Sequence, residues 1–228
     1  MDSIVLSSGG LDSTVVIAIA KDLGFDIISL SFDYNQRHKF ELTRASEVAK
    51  FFGVKKHIIL KVPLEDIGGS ALTDRSIDVP AGKLNREGIP ATYVPARNII
   101  FLSYAVSIAE ANNISDIFIG VNAIDFSNYP DCTPMFIESF QKSVNLGTKI
   151  GVEDKGVVIH TPLIKLGKSQ IIKRGLELGV DFGITTSCYN PDNIGRPCGV
   201  CDSCLIRLKG FKDAGFEDPL IYKINRLK

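Results

Sequence analysis

Apolar residues come along this chain in short dense bursts, separated by longer stretches where they recur every three to four positions. Residues 3 to 8 (SIVLSS) read as a strand buried on both faces. Residues 11 to 23 carry a helical period that stops before Gly24. A second strand is predicted at 26 to 33 (DIISLSFD). A helix follows near 39 to 52, with Phe40, Ala45, Val48 and Phe52 on one face and Gly53 as its stop, then a third strand at 54 to 62 (VKKHIILKV).

Between 63 and 95 the pattern lapses, with three of the chain's ten prolines before Pro95 closes the stretch. A loop that long is uncommon unless it serves a site or stays mobile. Order returns with a helix from about 96 to 112, a strand at 116 to 122 (DIFIGVN), a helix near 133 to 147, a strand at 157 to 161 and a helix near 168 to 178. Strand alternating with helix predicts an α/β fold, a doubly wound parallel sheet of five strands. Residues 183 to 228 lack the alternation. The expected organisation is therefore an α/β domain over 1–182 with an appendage over 183–228 packed on it. No internal repeat or low-complexity tract interrupts this plan.

Composition narrows the function classes. A chain of 228 residues suits one α/β domain with an appendage. Lys plus Arg and Asp plus Glu both number 26, so there is no global field to gather nucleic acid or coat an anionic membrane. The longest early apolar run, Val15 to Ala20, is six residues, against roughly 20 needed to span a bilayer. Asp2 stands where a secretory leader would be basic, so a cytoplasmic protein is expected and the sequon Asn113-Ile114-Ser115 reads as chance.

Four of the five cysteines crowd into 188 to 204. Cys198, Cys201 and Cys204 place three sulfurs within seven residues, and Cys188 lies ten positions upstream across Pro191, Gly195 and Pro197. An odd count in such a chain argues for metal over disulfides. Four thiolates suit one structural Zn²⁺ per chain. An iron–sulfur cluster is the rival, but the ferredoxin run adds Cys-Pro where Leu205-Ile206-Arg207-Leu208 stand here. The fifth, Cys132, reads as a small buried residue, with a nucleophilic role as the alternative.

In parallel sheets ligands bind beyond the carboxyl ends of the strands, and the polar motifs fall there. SSGGLDST (residues 7–14) sits between the first strand and its helix. Glycines let backbone approach a ligand, and a helix N-terminus offers unpaired amides to an anion. Ser8, Gly9, Gly10, Asp12 and Ser13, with Leu11 and Thr14 completing the stretch, form a candidate phosphate cradle; the bland alternative is a tight turn with an N-cap. Asp12 beside phosphate implies an intervening Mg²⁺. The Lys-Ser/Thr of a Walker loop and the third glycine of a dinucleotide fingerprint are both missing.

Further along, Arg37 offers a planar fork to phosphate or carboxylate and His38 an acid–base group, although both also suit a polar helix entry. Arg97 opens a helix against its dipole, which suggests a ligand anion or else a surface salt bridge. Asp125, Tyr129 and Asp131 follow the fourth strand and suit a purine-like base or Mg²⁺, with solvated loop acids as the alternative. Lys165 and Lys168 suit phosphate, or else the surface. Asp181-Phe182-Gly183 mimics a kinase triplet with no catalytic loop to accompany it.

SGGLDS resembles the pyrophosphate loop of the PP-loop ATP pyrophosphatases. In order, SGGLDST, FDYNQRH, VPARNIIFLSYA, GVNAIDFSNYPDC, TPLIKLGKSQI and SCYN…RPCGVCDSCLIR resemble the 7-cyano-7-deazaguanine synthase family within that superfamily, over nearly the whole chain. The family pattern has glycine where Asn35 and Asn128 stand, and arginine where Thr133 stands. The resemblance implies a PP-loop, adenine nucleotide alpha hydrolase-like sheet with a four-cysteine zinc ribbon. It implies conversion of 7-carboxy-7-deazaguanine and ammonia to a nitrile with ATP and Mg²⁺. Asp12, Arg97 and Lys168 would then be catalytic, residues 8–14 would bind ATP, and Arg37, His38, Asp125, Tyr129 and Asp131 would bind substrate. No residues remain for a glutaminase domain, so free ammonia or an unlinked donor is expected. The expected protein is a homodimer, with no nucleic acid or membrane partner. A tRNA-thiolating PP-loop enzyme and a nucleic-acid-binding zinc ribbon stay open as alternatives.

Overall fold

The computed structural model describes residues 1–37, 39–80, 82, 88–124, 129–153 and 156–223. Its sheet contains β1 (Asp2–Leu6), β2 (Asp26–Asp33), β3 (Lys56–Lys61), β4 (Asp116–Phe118) and β5 (Val158–His160). The order is β3-β2-β1-β4-β5 and every pair is parallel. The chain leaves β1 on one side through β2 and β3, then returns to lay β4 and β5 on the other. β1 and β4 therefore flank the point where strand order reverses, the place such sheets open a crevice.

Alternation along the strands sends side chains to two helical layers. Ile4 and Leu6 of β1 join a core with Leu102, Ala105, Val106 and Ala109 of α3 (Arg97–Ala111) and Ile137 of α4 (Pro134–Gly147). Val5 faces the other way, into a core with α1 (Leu11–Asp22), Val48 of α2 (Phe40–Phe51), Ile171 and Ile172 of α6 (Lys168–Glu177) and Phe211 of α7 (Asp202–Ala214). Ile171 and Ile172 are both fully buried, which stabilises the α6 seat by roughly 3–6 kcal/mol at 1.5–3 kcal/mol per side chain. A further short helix, α5, covers Lys149–Glu153.

α5, β4 and α7 differ from the sequence expectation, α5 being placed by the structure alone. β4 pairs only to Phe118, because Gly120 passes against the start of α1; a Cβ there would lie 3.2 Å from the Ser13 amide nitrogen. α7 was not expected within 183–228. Its interior Gly210 packs on α6, where a Cβ would sit 2.3 Å from Lys168 Cγ, and Gly215 ends it at φ +85°. The stretch 63–95 is pinned in its described parts. Ala71 N–H donates to Ala91 O (2.8 Å), Gly82 N–H to Val200 O (2.8 Å), and Leu64, Leu72 and Val94 enter the core.

Behind α7 lies a buried ion pair. Arg207 donates through Nε to Asp218 Oδ2 (2.7 Å) and through Nη2 to Asp218 Oδ1 (3.0 Å), while Nη1 reaches Thr185 Oγ1 (2.7 Å). Tyr222 donates to the same carboxylate at 2.5 Å. The pair ties the end of the described chain to the segment before the cysteines. Among the described residues, no helix is long and apolar enough to cross a membrane.

Candidate functional site

The glycine turn joins β1 to α1, and each glycine in it has its own reason. Gly9 adopts φ +72°, and a Cβ on it would meet Ala45 N and Glu41 O of α2 at 2.5 Å. Its carbonyl accepts from Thr186 N–H at 2.9 Å. Gly9 is thus the packing contact, and Gly10 is the extended N-cap of α1. Among the described residues no side chain caps that helix, so amides at its N-terminus stay open to an anion. Ser13 Oγ donates to Gly10 O (3.1 Å) and accepts from Ser8 N–H (3.2 Å), which closes the turn. Thr14 Oγ1 is directed back to Gly10 O at 2.8 Å, so it holds the turn rather than facing outward.

Two cations stand at other helix N-termini, where the dipole disfavours them. Lys168 is the first residue of α6, and its ammonium donates to both Asp12 carboxylate oxygens. Their side chains are 8% and 18% exposed, so this is a nearly dry pair. Arg97 is the first residue of α3 and follows Ala96, a non-glycine residue at φ +55°. Backbone held there costs about 1–3 kcal/mol and is typical of sites that must aim a side chain. Burial opposes the Arg97 charge, but Tyr34, Cys132, Asp131 and Tyr189 outweigh it and hold the guanidinium above the usual arginine range.

A cavity of about 250 Å³ opens over the carboxyl ends of β1 and β4. Ser8, Gly10, Leu11, Asp12 and Ser13 line it from the turn, with Arg97 and Asn98 from α3 and Tyr129 from the segment before α4. Ser7 and Thr186 also line it, and their hydroxyl oxygens are buried with no hydrogen-bond partner among the described residues. Buried polar groups are ordinarily paired, so these two mark a surface shaped for a polar ligand. Glu41 of α2 reaches the same cavity, and Gln36 Nε2 donates to its Oε1 at 2.7 Å. Burial raises the Glu41 carboxyl to about 7, against the pull of the Gln36 hydrogen bond and the Arg97 charge. Cys132 lines the cavity too; burial, then Asp131, push its thiol up to about 12, so at neutral pH it is a thiol and not a thiolate nucleophile.

Other expected residues lie elsewhere. Arg37 Nη2 donates to Asp74 O (3.2 Å) and Ile77 O (2.7 Å), so its guanidinium fastens the 63–95 stretch. Asp131 Oδ2 accepts from Asn98 N–H (3.1 Å), which satisfies the first turn of α3 and steadies Arg97 beside it. Thr133, where the family pattern has arginine, caps α4 by accepting from Phe136 N–H at 3.2 Å. Asn35, where that pattern has glycine, adopts φ +53°, a conformation asparagine tolerates. Lys165 is exposed. His38 and Asp125 lie outside the described residues, as does Asn128. Sequence reading missed Glu41, Asn98, Thr186 and Tyr189. The signals were present only as neighbours of motif residues: Asn98 follows Arg97, and Thr186 and Tyr189 flank Cys188.

The four clustered cysteines meet. The Sγ atoms of Cys188, Cys198, Cys201 and Cys204 all lie within 4.8 Å of one another, and the last three residues are buried. Cys198 and Cys204 sulfurs are 3.9 Å apart. Tetrahedral metal–sulfur bonds of about 2.3 Å require edges of about 3.8 Å, so the set fits a four-thiolate ion. Amides of Asn190 and Cys198 donate to Cys188 Sγ (3.2 and 3.1 Å), as suits a thiolate ligand. Next to this cluster, Tyr189 packs on it and on the main core, and also lines the cavity. The cysteine cluster and the cavity share a wall.

The sequence model of the queuosine biosynthesis protein QueC family matches residues 2–215. A 7-cyano-7-deazaguanine synthase of Hydrogenovibrio crunogenus is 52% identical over 223 residues, 98% of this chain and 96% of that protein. One of Pseudomonas fluorescens (strain SBW25) is 54% identical over 220 residues, 96% of this chain and 97% of that protein. Among solved structures, NMN synthetase from Francisella tularensis has a TM-score of 0.50 at 17% identity, covering 95% of this chain and 77% of that one, and so shares the fold.

Proposed function

The chain belongs to the queuosine biosynthesis protein QueC family, and from that membership we propose that it is an ATP-dependent 7-cyano-7-deazaguanine synthase. It takes 7-carboxy-7-deazaguanine and ammonia to the nitrile. The tRNA-thiolating alternative gives way, since the relatives named as synthases match over nearly their whole length. The observation that carries the reading to this site is the convergence on one cavity of an uncapped helix N-terminus, the Asp12–Lys168 pair beside it, and Arg97.

A carboxylate is a poor acyl donor. Its oxygen attacks the α-phosphorus of ATP, pyrophosphate leaves, and the acid becomes an acyl adenylate. The α1 amides with Ser8 and Ser13 receive the departing pyrophosphate. Lys168 and Arg97 place positive charge where negative charge develops on phosphorus. Ammonia then displaces AMP to give the amide. A second activation, at the amide oxygen, lets AMP leave again and the nitrile form. The chain's contribution is mainly orientation and fixed charge.

Asp12 keeps carboxylate lone pairs beyond the two hydrogen bonds from Lys168, so it suits the Mg²⁺ that accompanies ATP, which would neutralise the outer phosphates. Zinc in the four-cysteine set would cross-link the 183–228 appendage and hold Tyr189 at the cavity wall. Tyr129, whose hydroxyl is 3.0 Å from Thr92 Oγ1, is the described candidate for the deazapurine. The reading has the protein acting in the cytoplasm as a homodimer, without nucleic acid or membrane; the balance of 26 basic and 26 acidic residues supports only the last two points, since it leaves no global field to gather polyanions.

The experiment is mass spectrometry of metal-loaded protein with ATP, Mg²⁺, ammonium and ¹⁸O-labelled 7-carboxy-7-deazaguanine. The nitrile should form and label should appear in AMP. A zinc-loaded, folded protein that yields no nitrile overturns the function.

A further inference from the structure

We propose that Glu41 is the proton acceptor that converts ammonium to ammonia inside the cavity. The proposal rests on the synthase reading and deepens it. Glu41 lies in the first turn of α2, directly against the phosphate turn, since a Cβ on Gly9 would touch its carbonyl oxygen at 2.5 Å. It lines the same cavity as Asp12 and Arg97. One carboxylate oxygen is fixed, because the Gln36 side chain that donates to it is itself buried and oriented. Gln36 Oε1 accepts from Tyr34 N–H (2.9 Å), and Nε2 also donates to Phe32 O (3.3 Å). The other oxygen, Oε2, has no hydrogen-bond partner among the described residues. A carboxylate held by one oxygen at a cavity wall, with the second left to accept, is the arrangement a base requires.

Among the described residues, the neighbouring charges other than Arg97 are committed. Asp12 is paired with Lys168, Asp33 with Lys39, and Arg44 with Glu47. From β3, His57 is bonded to Ser29 and Lys61 lies in the field of Asp33. The turn Phe182–Ile184 packed on α2 brings no titratable side chain. Arg97 and Tyr34 are the groups whose charges act on it or that it acts on. With its carboxyl raised to about 7 by burial, Glu41 is both ionised enough to accept a proton at neutral pH and acidic enough to release it.

The chemistry needs such a group. Ammonia in neutral water is almost all ammonium, which has no lone pair. In the step, one N–H bond of ammonium breaks, its electron pair stays on nitrogen, and an O–H bond forms on Glu41. The freed lone pair then forms the C–N bond to the acyl adenylate, while the C–O bond to AMP breaks and AMP leaves with that pair. The surplus N–H proton leaves with AMP, and Glu41 returns its own proton to solvent.

The test compares wild-type and Glu41→Gln full-length, metal-loaded protein with ammonium and with hydroxylamine, which is mostly neutral near pH 7 and gives the hydroxamate. With ammonium the variant's kcat/KM should fall by about 10²-fold or more near neutral pH and recover as rising pH supplies free ammonia. With hydroxylamine the loss should stay below roughly tenfold, since no ammonium need be deprotonated. Glu41→Asp, which keeps a carboxylate, should regain part of the ammonium activity. Equal losses with both nucleophiles, or none, overturn the assignment while leaving the synthase reading intact. Wild-type protein that makes no nitrile overturns both.

Discussion

The Lys168 ammonium lies 2.6 and 2.7 Å from the two carboxylate oxygens of Asp12, although 156 residues separate them. The pair joins the glycine turn at the start of α1 to the start of α6, and so welds the ends of β1's crossover and β5's into one site. Gly210 of α7 presses on the Lys168 side chain from behind, which fixes its direction.

Lys168→Met should therefore lower nitrile formation by about 10²–10³-fold, the usual loss when one charged transition-state donor is removed. It should also cost stability, because Asp12 is left with an uncompensated charge. Adding Asp12→Asn should restore melting temperature and not activity. A double-mutant cycle read by both thermal melts and product formation checks this.

Gly9→Ala should destabilise the chain by about 2 kcal/mol or more, since the residue would carry a strained φ and a Cβ driven into α2. Urea unfolding measures it. An unchanged midpoint would mean that α2 gives way easily.

Cys201→Ser should reduce bound metal well below one ion per chain and lower the melting temperature, because a structural four-thiolate site contributes folding energy. Elemental analysis beside calorimetry separates the two effects. Since Tyr189 links the cluster to the cavity, any residual activity should show a raised KM for the acid.

Arg207→Met strands Asp218 in the interior, where both side chains are 3% exposed, and should cost about 3–5 kcal/mol. Arg207→Met with Asp218→Leu should recover part of that in urea unfolding.

Glu41 predicts a pH dependence. Its folded value, about 7, lies above the reference of 4.5, so between these the native state binds more protons than the unfolded one. Stability from this group is complete below the reference value and is lost as pH rises through the folded value. The melting temperature of wild type relative to Glu41→Gln should fall between about pH 4.5 and about pH 7 and level off above that. A constant difference over that range would show that Glu41 is not held protonated.

Local pattern is what the sequence by itself determined. Periodicities of two and of three to four residues placed β2 at Asp26–Asp33 and set α1, α2, α3, α4 and α6 within a residue or two of their observed ends, because each reports which side of one element is apolar. The glycine turn and the four cysteines were readable for the same reason, being contiguous in the chain, and Arg97 betrayed itself by standing against a helix dipole. Only the tertiary structure decided what those groups face. It turned Arg37 to the carbonyls of Asp74 and Ile77, set Asp131 under Asn98 33 residues away, ended β4 where Gly120 meets α1, and brought Glu41 to the cavity. α7 escaped notice because its interior glycine is explained only by the lysine of α6 beside it. Apolar spacing records burial within one element, whereas hydrogen-bond partners and raised carboxyls arise where separate elements meet, and sheet topology alone determines those meetings.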